Sequence, residues 1–162
     1  MKPTQILIAM VCLLTLSFAA AKPNLSGNWK LDKDRSFSNA PGLEQTMTIV
    51  HNGDEVKVDA KITVQGREQQ INETWMIDNQ EHEFTPPGAP PGAKGKRKAS
   101  WLPHDKGIVV EDETVAKTPN GEVTQRTTRK YALAADGASL VVDYFIDRGA
   151  VSAEAKRVFV KQ

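Results

Sequence analysis

Met47-Thr48-Ile49-Val50-His51-Asn52-Gly53-Asp54-Glu55-Val56-Lys57-Val58-Asp59-Ala60-Lys61-Ile62-Thr63-Val64 is the stretch that decides the architecture. From Val56 to Val64 every second residue is apolar, with Lys57, Asp59, Lys61 and Thr63 between. Side chains alternate faces along a β-strand, so this run is a strand with one buried and one wet face. Met47 and Ile49 alternate with Thr46 and Thr48 in the same way. Asn52-Gly53 separates the two runs, and both residues tolerate the positive φ of a tight hairpin turn. The stretch is a β-hairpin.

The same pattern continues outward. Gln65-Gly66 turns the chain into residues 67–78, where Ile71, Trp75 and Ile77 share one parity. A short run at 81–85 follows, then 99–103, 107–118, 122–134, 139–147 and 152–161. Asp105-Lys106-Gly107, Pro119-Asn120-Gly121, Asp136-Gly137 and Arg148-Gly149 supply the turns between them. With residues 25–33 at the front, about ten short strands result, joined by short turns. The prediction is an all-β fold, a single antiparallel up-and-down β-barrel of about 8–10 strands, because closure removes exposed sheet edges. The Pro- and Gly-rich segment 86–98 is expected to be an irregular loop inside that one domain.

Residues 1–21 read as a secretory signal peptide. Lys2 precedes an apolar run from Ile6 to Leu16, and Ala19-Ala20-Ala21 offers the small residues of a cleavage site. Residues 22–162 are then the exported domain, periplasmic or extracellular. The 21 Lys+Arg and 20 Asp+Glu of the chain balance once Lys2 is removed, which argues against a nucleic-acid binder. The lone cysteine, Cys12, lies in the leader, so the mature domain has no disulfide and no thiolate chemistry.

Leu25-Ser26-Gly27-Asn28-Trp29-Lys30-Leu31 opens the mature chain with a Gly-x-Trp, and Lys156-Arg157-Val158-Phe159-Val160-Lys161 closes it with basic residues. This pairing resembles the calycins, the lipocalin and fatty-acid-binding-protein group, and more closely secreted bacterial lipocalin-like domains. Residues 47–58 are similar to the first hairpin of the fatty-acid-binding proteins, and Leu140-Val141-Val142 to the start of their penultimate strand. One departure is that residues 34–44 are too few for the helix pair that lids a fatty-acid-binding protein. The resemblance implies a binding protein holding a small hydrophobic or amphipathic ligand, acidic ones included. It also implies barrel closure by Gly27, Trp29 and Arg157.

Inward parity selects the site candidates. Ile71, Trp75 and Glu73 share a face, as do Arg129 and Tyr131, and Arg157 and Phe159. The resemblance matches Arg157 to the last arginine of a carboxylate site, with Phe159 in place of a tyrosine, and assigns a second arginine to Arg129 or Arg126. One reading is an anion held by Arg129 and Arg157 in an apolar cavity. The other pairs Glu73 with an arginine and lays Arg157 over Trp29. Met47, Ile49, Val58, Ile62, Leu140, Val142, Tyr144 and Ile146 are expected to line the interior or to fill it. Lys94, Lys96, Arg97 and Lys98 form a basic cluster that could meet an anionic membrane surface or be a solvated loop. His51, His82 and His104 have no metal-ligand spacing, and no nucleophile motif or phosphate loop is present. No enzyme activity, cofactor or metal is expected, and the barrel is expected to be a monomer. The alternative function is a filled barrel that acts as an interaction or structural module of the cell envelope.

Overall fold

The computed structural model describes residues 22–37, 40–89, 92–119 and 121–162. The leader, Cys12, Pro90, Pro91 and Asn120 lie outside them. Ten strands form one antiparallel sheet: β1 (Gly27–Phe37), β2 (Glu44–Asn52), β3 (Glu55–Val64), β4 (Arg67–Met76), β5 (Glu81–Phe84), β6 (Lys94–Trp101), β7 (Ile108–Thr118), β8 (Gly121–Leu133), β9 (Ser139–Asp147) and β10 (Ser152–Lys161). Their spatial order is β4-β3-β2-β1-β10-β9-β8-β7-β6-β5. Each neighbouring pair except β1/β10 is therefore a hairpin of consecutive strands. Among the described residues no α-helix lies between β1 and β2.

The sheet curls until β4 returns beside β6. Side chains and one turn make this closure: Glu73 of β4 pairs with Arg97 of β6, and Asn79 N–H donates to Ala99 O at 2.9 Å. Trp75 of β4 packs on Tyr131 of β8 with ring centroids 5.7 Å apart. The hairpin of 47–64 has the expected register, with Ile49 opposite Val58 and Asn52 opposite Glu55. Two ends can be distinguished. At the base, where β1 begins and β2 ends, Trp29, Ile49, Val56, Ile108, Leu140 and Phe159 are fully buried and fill the barrel. At the mouth lie the β7–β8 and β9–β10 turns and the Pro/Gly segment.

His51 clasps the base. Its Nδ1 accepts from Leu25 N–H at 3.2 Å, so Nε2 carries the proton and donates to Gly53 O at 3.0 Å. The ring stacks on Trp101 at 5.8 Å. Burial pushes the His51 pKa below 6.5, against the bond to Gly53. A second proton would also set Nδ1–H against the Leu25 N–H.

Two expectations are corrected. Arg157 does not lie over Trp29; Lys161 does, its Nζ 5.5 Å from the ring centroid. The β1/β10 register sets Lys161, not Arg157, opposite Trp29; Arg157, four residues earlier, stacks on Tyr144 of β9 at 4.5 Å and donates to Gln45 Oε1 of β2 at 2.7 Å. Gly27 suits this closure, because a Cβ there would stand 2.9 Å from Lys161 Cε and 3.4 Å from Trp29 Nε1. The second correction concerns the basic cluster. Lys94, Lys96, Arg97 and Lys98 are not in a loop but on β6, whose start lies within the segment expected to be irregular. Alternation sends Lys94 and Lys96 outward, and Arg97 inward to 5% exposure. The cluster is therefore not one basic surface.

Candidate functional site

Four charged side chains cross the middle of the barrel, one from each of four strands. Each shares the parity of its strand's core residues. Glu73 follows Trp75 and Ile77, Arg97 follows Ala99, Asp112 follows Ile108 and Val110, and Arg129 follows Tyr131. Arg97 donates through Nε and Nη2 to Asp112 Oδ1 and Oδ2 at 2.6 and 2.9 Å, and its Nη1 pairs with Glu73 Oε2 at 2.6 Å. Arg129 donates through Nη1 and Nη2 to Glu73 Oε1 and Oε2 at 2.6 and 3.0 Å, and through Nη2 to Asp112 Oδ2 at 2.9 Å. All four carboxylate oxygens are engaged.

The four side chains are at most 10% exposed. Burying ions is costly unless each is paired and hydrogen-bonded, and here two cations face two anions. Burial pushes the Glu73 carboxyl up, but the charges and hydrogen bonds of Arg129 and Arg97 outweigh it and hold the pKa below its ordinary value. Burial pushes the Tyr131 hydroxyl well up. It stays neutral and accepts from Arg129 Nη1 at 3.3 Å. Phe84 covers the layer on one side, its ring 4.2 Å from the Arg97 guanidinium carbon.

Above this layer, toward the mouth, lies a chamber of about 510 Å³. Its walls come from β4 to β8 and from residues 86–89, where Gly88 lies against Gln69 of β4. Ile71, Phe84, Pro87 and Val123 supply apolar surface, and Thr114, Gln125 and Thr127 supply hydroxyl and amide groups. Arg148 stands at the rim and donates to Gln125 Oε1 at 2.7 Å. The volume falls within the range of small-molecule sites.

Of the ligand-contact candidates named from sequence, Ile71, Glu73 and Arg129 line this chamber. Trp75, Tyr131 and Phe159 are packed into the core instead, at 3%, 2% and 0% exposure. Tyr144 and Arg157 sit together on the opposite wall with Gln45. Arg126 points outward and pairs with Glu113 at 2.8 Å. Sequence reasoning missed Arg97 and Asp112, although a signal existed for both. Asp112 has the parity of Ile108 and Val110, opposite to Glu111 and Glu113, and Arg97 has the parity of Ala99 and Trp101. Among the described residues no group of three or more His, Cys, Asp or Glu could hold a metal ion.

No protein-family model and no curated protein matches the chain. Solved structures do match. The zebrafish ileal bile acid-binding protein complexed with cholic acid is 14% identical over 85% of this chain and 98% of its own, with a TM-score of 0.55. A secretory abundant heat soluble protein from Ramazzottius varieornatus is 15% identical over 85% and 94%, at 0.53. The Schistosoma mansoni fatty acid binding protein in complex with arachidonic acid is 15% identical over 85% and 96%, at 0.51. The likeness is one of fold, the calycin barrel that the Gly-x-Trp opening and the strand pattern resemble.

Proposed function

We propose that this chain is an exported, non-enzymatic binding protein that holds a small apolar or amphipathic ligand in the mouth half of its barrel. One observation carries the reading. The barrel is packed solid below the charged layer and open above it, where a solvent-open concavity of about 510 Å³ is lined by apolar, polar and charged side chains together. Apolar surface exposed in a concave chamber is what a small ligand covers with gain. Neighbours of this fold complexed with cholic acid or with arachidonic acid lend it support. The leader reading supplies the export.

The test is native mass spectrometry of gently purified protein from a secreting host, followed by Nile red titration after solvent extraction. A chain beginning at Lys22, an extractable small molecule and saturable dye binding are expected. Ala116→Trp should fill the chamber from β7 and weaken dye binding by about tenfold, a loss of ~1.4 kcal/mol, with the melting temperature held. A protein that is both empty and blind to the dye would sink the reading. The second reading, an interaction module, would then take its place. It draws on Phe37 and Phe145, 61% and 44% exposed, which flank an outer groove on the side of β8 to β10.

A further inference from the structure

We infer that the chamber selects a ligand whose polar head is a neutral hydrogen-bond acceptor, such as a long-chain alcohol, rather than a carboxylate. This rests on the binding reading above and names the ligand class for the same chamber.

The floor of the chamber is already complete in charge. Two guanidiniums, Arg97 and Arg129, face two carboxylates, Glu73 and Asp112, and the sum is zero. A guanidinium clasps a carboxylate by offering two parallel N–H groups. In Arg97, Nε and Nη2 already make that bidentate clasp on Asp112, and Nη1 is against Glu73. In Arg129, Nη1 and Nη2 make it on Glu73, with Nη2 shared to Asp112. An acidic head would bring a third negative charge beside two that are almost wholly buried. Like charges at that range in a poorly polarisable interior repel strongly. At the floor, the acid would have to expel Glu73 or Asp112 from the guanidiniums that hold them.

One donor nitrogen of the layer, Nε of Arg129, has no partner at all. Arg129 lines the chamber, and this nitrogen is buried. A buried donor without an acceptor is costly, and a single oxygen satisfies it. A hydroxyl can do this without adding charge, while Thr114, Gln125 and Thr127 on the same walls can take its proton. Of two other guanidiniums, Arg148 stands at the rim, away from the floor, with its Nε on Gln125 Oε1, and Arg157 is not among the lining residues. Arg157 is bonded to Gln45 and covered by Tyr144 on the far wall.

The experiment is displacement of Nile red from the extracted protein by 1-dodecanol and by lauric acid, which share one chain length, at pH 7.5. The alcohol is expected to displace the dye at a concentration about tenfold lower than the acid. Equal or stronger displacement by the acid would overturn the inference and leave the binding reading standing. Displacement by neither, with the dye bound, would also overturn it, whereas failure of the dye to bind removes the binding reading itself. Glu73→Gln leaves one uncompensated cation on the floor and should shift the ratio at least severalfold toward the acid. Asp112→Asn gives the same readout should the first variant melt early. A ratio unmoved in a variant that folds would count against the charge argument.

Discussion

Arg129 shows how a ligand contact and a structural ion can share one position. From the chain alone it can hold an anion or pair with Glu73. In the fold its two Nη groups go to Glu73 and Asp112, so its removal should act on stability. Arg129→Met leaves Glu73 and Asp112 to share Arg97 alone, with surplus negative charge buried. The expected cost is about 3–5 kcal/mol, read as a lower urea midpoint. Adding Glu73→Gln to it should restore part of that loss, because the charges then balance again. A single-variant cost under about 1 kcal/mol would mean that solvent reaches the layer and screens it. Glu73 was legible before the fold was known, since it shares parity with Ile71 and Trp75. Pairing with Arg129 was one of two readings, and what could not be read was which of them holds and that Arg97 and Asp112 join the pair. Alternation tells which residues face inward but not which strands close on one another across the barrel.

Among the elements, the start of β6 was the hardest to read, whereas β5 was legible as the short run at 81–85. Lys94-Gly95-Lys96-Arg97-Lys98 continues a Pro/Gly tract, and its charges mask the alternation that puts Gly95, Arg97, Ala99 and Trp101 on one face. Gly95 is on the strand because Phe84 lies directly across from it. A Cβ at Gly95 would overlap the Phe84 ring. The missing side chain seats Phe84 against Arg97 and thereby holds the four-residue edge strand β5 in place. Gly95→Val should push Phe84 off that seat, costing about 1–3 kcal/mol as overpacking does. Hydrogen exchange should then rise first at the amides that pair Glu81–Phe84 with β6, while the β2–β3 hairpin keeps its protection. Uniform protection in both elements would show that β5 is held by other contacts.

For the whole molecule, two buried groups set the response to acid, and both act in one direction. His51 is held below its ordinary 6.5, so the unfolded chain takes up a proton first as pH falls past that value, and stability drops from there downward. Glu73 is held below its ordinary 4.5, so its contribution is present above that pH and drains as pH falls toward its folded value. Urea midpoints should be level near pH 8, decline from about pH 6.5, and decline again below about pH 4.5. His51→Gln should remove the first decline and keep the second. A wild-type curve flat down to pH 5 would show that the His51 clasp opens freely.

Strand number, turn positions and barrel class were all legible in the chain, because period-two alternation and Asn-Gly or Asp-Gly turns are local signals. The division into a solid base and an open mouth was not. It depends on how side chains from distant strands fill a shared volume.

The β1/β10 ladder has one more consequence. Among the described residues it is the one ladder between strands that are not consecutive in the chain, and it brings the start of β1 beside the end of β10, with Gln162 N–H bonded to Asn28 O at 2.9 Å. The sheet is interrupted instead in mid-sequence, at the turn around Asn79. Joining residue 162 to residue 22 and opening the chain in that turn would break no ladder. The permuted chain would run β5 to β10 and then β1 to β4, so that order along the polypeptide and order across the sheet become the same. The junction of β1 and β10 is thus an arbitrary entry point into a ring whose own seam lies elsewhere.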